Sequence, residues 1–294
     1  MKHIKQSFGS KVFDIINVLL MILLIVITLY PFYYIIIVSL SDGKAVMKGL
    51  VKLRPVGINF KSYSIVLKDP YIGTAYLNTI LYTTFGTFIN ILFSTLCAYP
   101  LSRKNFFGKR IFTVMIVFTM FFSGGLIPTY LTVQKLGMLD TIWALVLPGA
   151  INTYNMIIIR TFFQDIPAEL HESAYIDGAN DIKIFAKIIL PLSKPIIATM
   201  TLFYAVGHWN SFFSALIYLN EREKYPLQIV LRNMVVSGEL TSQSNQMGAA
   251  ADFLAIDTTI KYAVIIVATL PILVVYPFVQ KYFVKGVMIG SLKG

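Results

Sequence analysis

Long apolar blocks joined by shorter polar connections limit what this chain can fold into. Val12 to Leu40 is broken only by Asp14 and Asn17 near its start and by Pro31 inside it. Further blocks run from Tyr76 to Leu101, Ile111 to Leu131, Thr141 to Phe163, Ser193 to Leu219 and Ile260 to Phe283. A helix needs about 20 apolar residues to cross the hydrocarbon of a bilayer. Inside that hydrocarbon only helices and closed barrels satisfy their own backbone polar groups. The blocks therefore predict an all-α membrane protein with six transmembrane helices, forming one domain over residues 1–294. The first block exceeds the roughly 7–15 apolar residues of a secretory signal and lacks an Ala-x-Ala cleavage site. It reads as an uncleaved span kinked near Pro31.

Composition agrees with this reading and excludes others. Apolar residues make up 56% of the chain and charged ones only 13%, whereas a soluble domain carries about a quarter charged residues. The net charge of +11 would suit a nucleic-acid binder, but no basic run is long and most Lys and Arg flank the apolar blocks. Cys97 is the single cysteine; it lies inside a block and reads as a small buried apolar residue. His3, His171 and His208 are far apart, and no His-x-x-His or Cys-x-x-Cys occurs, so no metal site is expected. Gly43-Lys44 and Gly108-Lys109 lack both the earlier glycine and the following hydroxyl of a phosphate-cradling loop.

The polar insertion with the strongest internal pattern runs from Asp165 to Pro191. Pro167 suits the first turn of a helix, and Glu169 and Glu172 lie near its positive end. Leu170, Ala174 and Ile176 give that helix a small apolar face. Gly178 supplies the left-handed geometry that ends a helix, and Asn180 or Asp181 caps the next. Ile182, Phe185, Ile188 and Ile189 then recur at helical spacing, and Pro191 stops the second helix. A short amphipathic helix pair between two spans is a docking surface for a soluble partner.

The same stretch carries a resemblance. Glu172-Ser173-Ala174, then Gly178 four residues after Ala174, then nine residues before Ile188-x-Leu190-Pro191 resembles the EAA signature of ABC importer permeases. Ser173 departs from the family's middle alanine, though both are small. The resemblance implies a cytoplasmic coupling helix between spans four and five that docks in a groove of an ATPase subunit. Glu172, Ser173, Ala174, Asp177, Gly178, Ile188, Leu190 and Pro191 would be the coupling residues. Small Ser173 and Ala174 permit close approach and Gly178 a sharp turn; Glu172 and Asp177 either pair with partner cations or face water. ATP and Mg would then belong to partner ATPase subunits, with no cofactor and no catalysis in this chain.

Charge bears on orientation. Six spans place both termini on one side. Lys2, Lys5 and Lys11, the cluster Arg103, Lys104, Lys109 and Arg110, then Arg160, Lys183, Lys187 and Lys194, and finally Lys281, Lys285 and Lys293 fall on the side of the helix pair, 14 of the 25 basic residues. The connection from Ser41 to Ala75 carries Lys44, Lys48, Lys52, Arg54, Lys61 and Lys68 on the other, so the positive-inside bias is slight. The resemblance, which puts the helix pair and both termini in the cytoplasm, reinforces it.

Taken whole, the chain resembles the maltose-type sugar permeases, specifically the shorter six-span subunit of the pair. Gln280 to Gly286 and Gly290-Ser291-Leu292-Lys293-Gly294 are similar to that subunit's closing sequence. Phe122 to Tyr130 and Leu147 to Asn152 resemble a branch that imports oligosaccharides and polysaccharide fragments. The implied setting is a bacterial inner membrane. The implied partners are a second homologous permease, two cytoplasmic ATPases and an extracytoplasmic sugar-binding protein. Gly290, Lys293 and Gly294 would touch the ATPases or form a frayed terminus. The loop from Asn220 to Thr259 faces outside, toward the binding protein or as a connector.

Polar residues inside spans need a partner or a watery path. Asn78, Asn90, Asn152, Asn155, His208, Trp209 and Asn210 are such residues, and each serves either helix–helix hydrogen bonding or substrate. Trp209, Asn210, Asn152 and Asn155 are the path candidates, since amides pair with sugar hydroxyls and an indole stacks on a pyranose face. Two alternatives remain: an ABC permease for a non-sugar solute, and a secondary transporter. The second would need buried acids and inverted repeats, and the span interiors are nearly free of acids.

Overall fold

The computed structural model describes residues 8–236 and 258–274. Among them there is helix and loop but no strand. In chain order the helices are α1 (Phe8–Ser39), α2 (Gly43–Met47), α3 (Lys61–Lys68), α4 (Pro70–Ser102), α5 (Lys109–Phe121), α6 (Leu126–Lys135), α7 (Ile142–Val146) and α8 (Thr153–Gln164). Then come α9 (Ala168–Ile176), α10 (Asp181–Ile184), a π turn (Phe185–Ile189), α11 (Leu190–Leu192), α12 (Lys194–Trp209), α13 (Phe213–Tyr218) and α14 (Leu227–Val236). The last described helix is α15 (Thr258–Val274).

Among the described residues, α1 and α4 are each long and apolar enough to cross a membrane. Two further helix pairs are long and apolar enough only when taken together, and both are sharply bent: α5 with α6 by 114°, and Asp181–Leu192 with α12 by 81°. The bends have local causes. Between α5 and α6, Gly125 takes φ +85° and its N–H donates to Ser123 Oγ at 3.2 Å. At the other bend, the π turn leads into Pro191, which has no N–H; the helix runs one residue past the expected stop, to Leu192, and breaks at Ser193. The expected fourth span, 141–163, is not one helix. Pro148 and Gly149 separate the five-residue α7 from α8. The expected fifth span, 193–219, ends as a helix at Trp209 and resumes at Phe213.

Of the described residues, 8–69 form one compact unit with 233–236 and 258–270. Nearly all of α1 is exposed apolar surface; only Ile37, Val38 and Ser39 at its end are buried. These residues meet Ala45 and Val51, with Tyr34, Val46 and Tyr262 packed against them. Ser41 Oγ donates to Ile37 O at 2.6 Å, and Asp42 caps α2 by accepting from Lys44 N at 2.9 Å. Ser62 Oγ and Thr259 Oγ1, 2.6 Å apart, join α3 to the start of α15.

Pro70–Arg232 belongs to a second unit, built around α4. Its contact with α12 is close because Gly86 has no side chain. A Cβ there would lie 2.6 Å from the His208 ring. One turn on, Asn90 Oδ1 is 2.6 Å from His208 Nε2, while Asn90 Nδ2 donates to Gly149 O at 2.6 Å and Ala150 O at 3.0 Å. Asn90 thus serves carbonyls freed by the break between α7 and α8, which hydrocarbon could not satisfy. Another turn on, Ser94 Oγ and Tyr204 OH meet at 2.8 Å. At the opposite end of α4, Asn78 Nδ2 donates to Glu223 O at 2.7 Å and Tyr82 OH to Lys224 O at 2.9 Å.

Gly86→Ala should therefore push His208 off Asn90. Overpacking of this kind costs about 1–3 kcal/mol, read as a lower melting temperature in detergent. Adding His208→Ala to Gly86→Ala should recover part of the loss, because the removed ring vacates the space.

Candidate functional site: the helix pair between α8 and α12

Helix α9 begins after Pro167 and ends at Asp177. Gly178, at φ +74°, takes the left-handed step beyond it. Its N–H donates to Tyr175 O at 3.0 Å and the Ala179 N–H to Ala174 O at 2.9 Å. These two bonds are the Schellman closure, which satisfies carbonyls a helix end leaves open. Asn180 is the cap of α10, accepting from Lys183 N at 2.9 Å. Tyr175 OH donates to Asp181 Oδ1, locking the two helices across the turn.

One face of the pair is buried in an apolar cluster. Ala174, Ile184, Phe185 and Ile189 pack with Ala98, Tyr99 and Leu101 of α4, with Met156, Ile159 and Phe163 of α8, and with Ile196, Met200 and Tyr204 of α12. The buried face of α9 is His171 and Ala174, not the expected Leu170–Ala174–Ile176 face. Ile176 is 87% exposed and Ile182 is 78% exposed. These two apolar side chains stand in the open on either side of the glycine turn. Beside them lies a groove of about 760 Å³, lined in part by Tyr99, Arg103, Phe107, Tyr175 and Ile182.

The coupling candidates are thus assembled, on two faces. Glu172, Ser173, Asp177 and Gly178 are exposed, Ala174 is buried, Ile188 and Leu190 are half-buried and Pro191 is exposed. Gly290, Lys293 and Gly294 lie outside the described residues. Of the path candidates, Asn152 is the α8 cap, accepting from Asn155 N at 3.0 Å, and Asn155 is buried. Asn210 Nδ2 donates back to Val206 O at 3.0 Å. Trp209 sits with its ring centroid 6.5 Å from that of Tyr76, and its buried Nε1–H has no protein acceptor.

Three contacts were not legible in the sequence. The His171 ring is buried, stacked at 14° on Tyr99 with centroids 6.2 Å apart, and neither ring nitrogen has a protein partner. Burial, and then the nearby Arg103 guanidinium, push its pKa below the ordinary 6.5. The hydrogen bond to Asp181 raises that of Tyr175, and burial adds to it. Elsewhere, Asp140, at φ +57°, accepts from Asn220 N at 2.5 Å and from Asn220 Nδ2 at 2.8 Å. Those bonds lower the Asp140 pKa. Nothing in the spacing of residues 137–140 announces that staple.

The model for the family "Binding-protein-dependent transport system inner membrane component" matches residues 72–289. The polygalacturonan/rhamnogalacturonan transport system permease protein YtcP of Bacillus subtilis (strain 168) is 43% identical, over 97% of this chain and 99% of its own. Protein LplC of the same organism is 45% identical, over 97% of this chain and 96% of its own. Among solved structures, a chain of a bacterial ABC transporter involved in the import of the acidic polysaccharide alginate superposes with a TM-score of 0.85. It is 38% identical, over 95% of this chain and 99% of that one.

Two substitutions test the turn. Gly178→Ala meets no atom within 4 Å, so its whole penalty is the left-handed backbone, about 1–2 kcal/mol. Amides 174–180 should then exchange with deuterium up to about tenfold faster, and Gly178→Asn, which tolerates that conformation, should exchange less fast. The second concerns His171. Its depressed pKa makes the neutral ring part of the folded state, so its contribution is present above 6.5 and is lost as pH falls through the folded value. Intrinsic-rate-corrected exchange in α9 should rise between about pH 7 and about pH 5. His171→Phe, which keeps a stacking ring without a titration, should abolish that rise.

Proposed function

Starting from a chain that belongs to the family of binding-protein-dependent transport system inner membrane components, we propose the following function. The chain is the shorter permease subunit of a bacterial ABC importer, and forms part of the path by which an oligosaccharide or polysaccharide fragment crosses the inner membrane. The relatives that carry this reading handle polygalacturonan or rhamnogalacturonan and alginate. The chain alternates between outward and inward openings while separate ATPase subunits bind and hydrolyse ATP with Mg. A second homologous permease completes the path, and an extracytoplasmic binding protein delivers the sugar. The chain crosses the membrane six times, some passages being bent or broken helices, with both termini and the helix pair in the cytoplasm.

The observation that carries the coupling role is the geometry of α9 and α10. The pair is anchored on one side by Ala174, Ile184, Phe185 and Ile189 and offers Ile176 and Ile182 on the other. An exposed apolar pair on a rigid turn is a docking element, and a rigid element passes a partner's rotation to the helices beneath it. Glu172, Ser173, Asp177 and Gly178 line the docked face. Ala174, Ile188 and Leu190 pack into the cluster beneath it, and Pro191 stands exposed at the bend into α12. Gly290, Lys293 and Gly294 add a second ATPase contact. Trp209, Asn210, Asn152 and Asn155 belong to the path or to its frame.

The test is co-expression with the companion permease, ATPase and binding-protein genes, purification on a tag on this chain, and ATPase assay in liposomes. The panel holds oligogalacturonides, alginate oligomers and maltooligosaccharides. The expected result is co-purification and ATPase stimulated by a loaded binding protein, with Gly178→Trp reducing stimulation at least about tenfold. A chain that purifies alone and moves solute without an ATPase would overturn the reading.

A further inference from the structure

Helix threonines in this chain commonly bond back along their own helix, and Thr83, Thr87 and, on α5, Thr113 do not. Thr79, Thr95, Thr199 and Thr201 each donate the hydroxyl to the carbonyl four residues back, at 2.7–3.0 Å. That back-bond is how a threonine hides its hydroxyl in an apolar setting. Thr83 and Thr87 lie on α4 among these neighbours, yet their buried Oγ1 atoms have no partner. Thr87 is only 7% exposed. Leaving such a group unpaired in a dry environment is costly.

Both residues line one cavity of about 430 Å³ at the edge of the α4–α12 seam, with Thr84, Phe88, Ile91, Thr201 and Ala205. Tyr76, Thr83 and Thr87 follow one another at helical spacing on α4, as Thr201, Ala205 and Trp209 do on α12. The two stripes meet again where Tyr76 packs on Trp209, whose indole N–H is the third unpartnered polar atom of the seam. The lining alternates hydroxyls with apolar faces: Phe88, Ile91 and Ala205 beside Thr83, Thr84 and Thr87. That is the complement of a pyranose, whose rim is hydroxyl and whose faces are C–H.

We infer that Thr83, Thr87 and Trp209 form a sugar-contacting track along the α4–α12 seam. Its polar atoms take up hydroxyls of the passing chain one after another. The inference rests on the importer reading and deepens it by assigning this subunit its own contacts with the sugar. Donors and acceptors left unpaired at rest suit a track better than a tight site, since each hydrogen bond gained on arrival is given up on departure.

The experiment uses the whole reconstituted importer with its binding protein, loaded with whichever oligogalacturonide, alginate oligomer or maltooligosaccharide stimulates the wild-type ATPase most. The variants are the double Thr83→Val, Thr87→Val, the double Thr83→Ser, Thr87→Ser, and Trp209→Phe. Sugar moved per ATP hydrolysed is measured, with co-purification of the second permease as the check on assembly. The valine pair should move roughly tenfold less sugar per ATP, the serine pair should restore transport, and Trp209→Phe should show an intermediate loss. An assembled valine pair that transports like wild type overturns the track. A valine pair that no longer retains the second permease also overturns it, since the hydroxyls then serve the subunit interface. A wild-type complex that hydrolyses ATP but imports no sugar from the panel sinks the importer reading itself, and the track with it.

Discussion

The apolar seat beneath the glycine turn is what the rest of the helix pair depends on. Ala174 near the end of α9, Ile184 at the end of α10, and Phe185 and Ile189 of the π turn bury against α4, α8 and α12. Burying a large apolar side chain contributes about 1.5–3 kcal/mol, so Ile184, Phe185 and Ile189 together far exceed the few bonds of the turn. Without that seat a nine-residue helix would be marginal in water. With it, the turn is held in a single geometry. The Schellman bonds and the Tyr175–Asp181 contact then refine a position that packing has already chosen. The smallness of Ala174 has a structural reason on this side of the helix, in addition to any reason a partner imposes.

A second constraint runs through α4. Helices α7 and α8 are separated where a straight span was expected, and backbone carbonyls at Gly149 and Ala150 are released. Asn90 accepts the consequence: its amide serves both carbonyls while its oxygen meets His208 on α12. The close approach that permits this is the bare Cα of Gly86. Polar residues in the spans therefore divide into two kinds. Asn78, Asn90, Asn152 and Asn210 have their bonds closed within the protein. Thr83, Thr87 and Trp209 do not.

How much of this was legible depends on how local the cause is. The glycine turn and the Asn180 cap follow from backbone preferences of single residues and stand where the sequence places them, while Pro167 caps α9 instead of lying in its first turn. The long runs that become α1 and α4 follow from apolar length alone. The bends are harder. Gly124-Gly125 and Pro148 mark weak points, but a glycine pair alone fixes neither the direction nor the 114° of the α5–α6 bend. Within α10 it is Ile184, not Ile182, that joins the apolar cluster with α4, α8 and α12, against the spacing read from the sequence. His171 is buried through a ring stack with Tyr99 on another helix, and Asp140 reaches Asn220 across eighty residues. Neither contact leaves a local trace.

The most direct measurement is a single-thiol cross-link. Cys97 is the chain's single cysteine, so the variant Cys97→Ala, Ile176→Cys carries one thiol at the exposed rim of the glycine turn. It would be labelled with a thiol-linked photo-cross-linker in the purified complex with its ATPase subunits. The expected product joins this chain to an ATPase subunit, with a yield that changes between nucleotide-free and ATP-bound complexes. A thiol that stays freely reactive in the assembled complex, and never cross-links to an ATPase, would contradict the assignment of α9 and α10 as the coupling element.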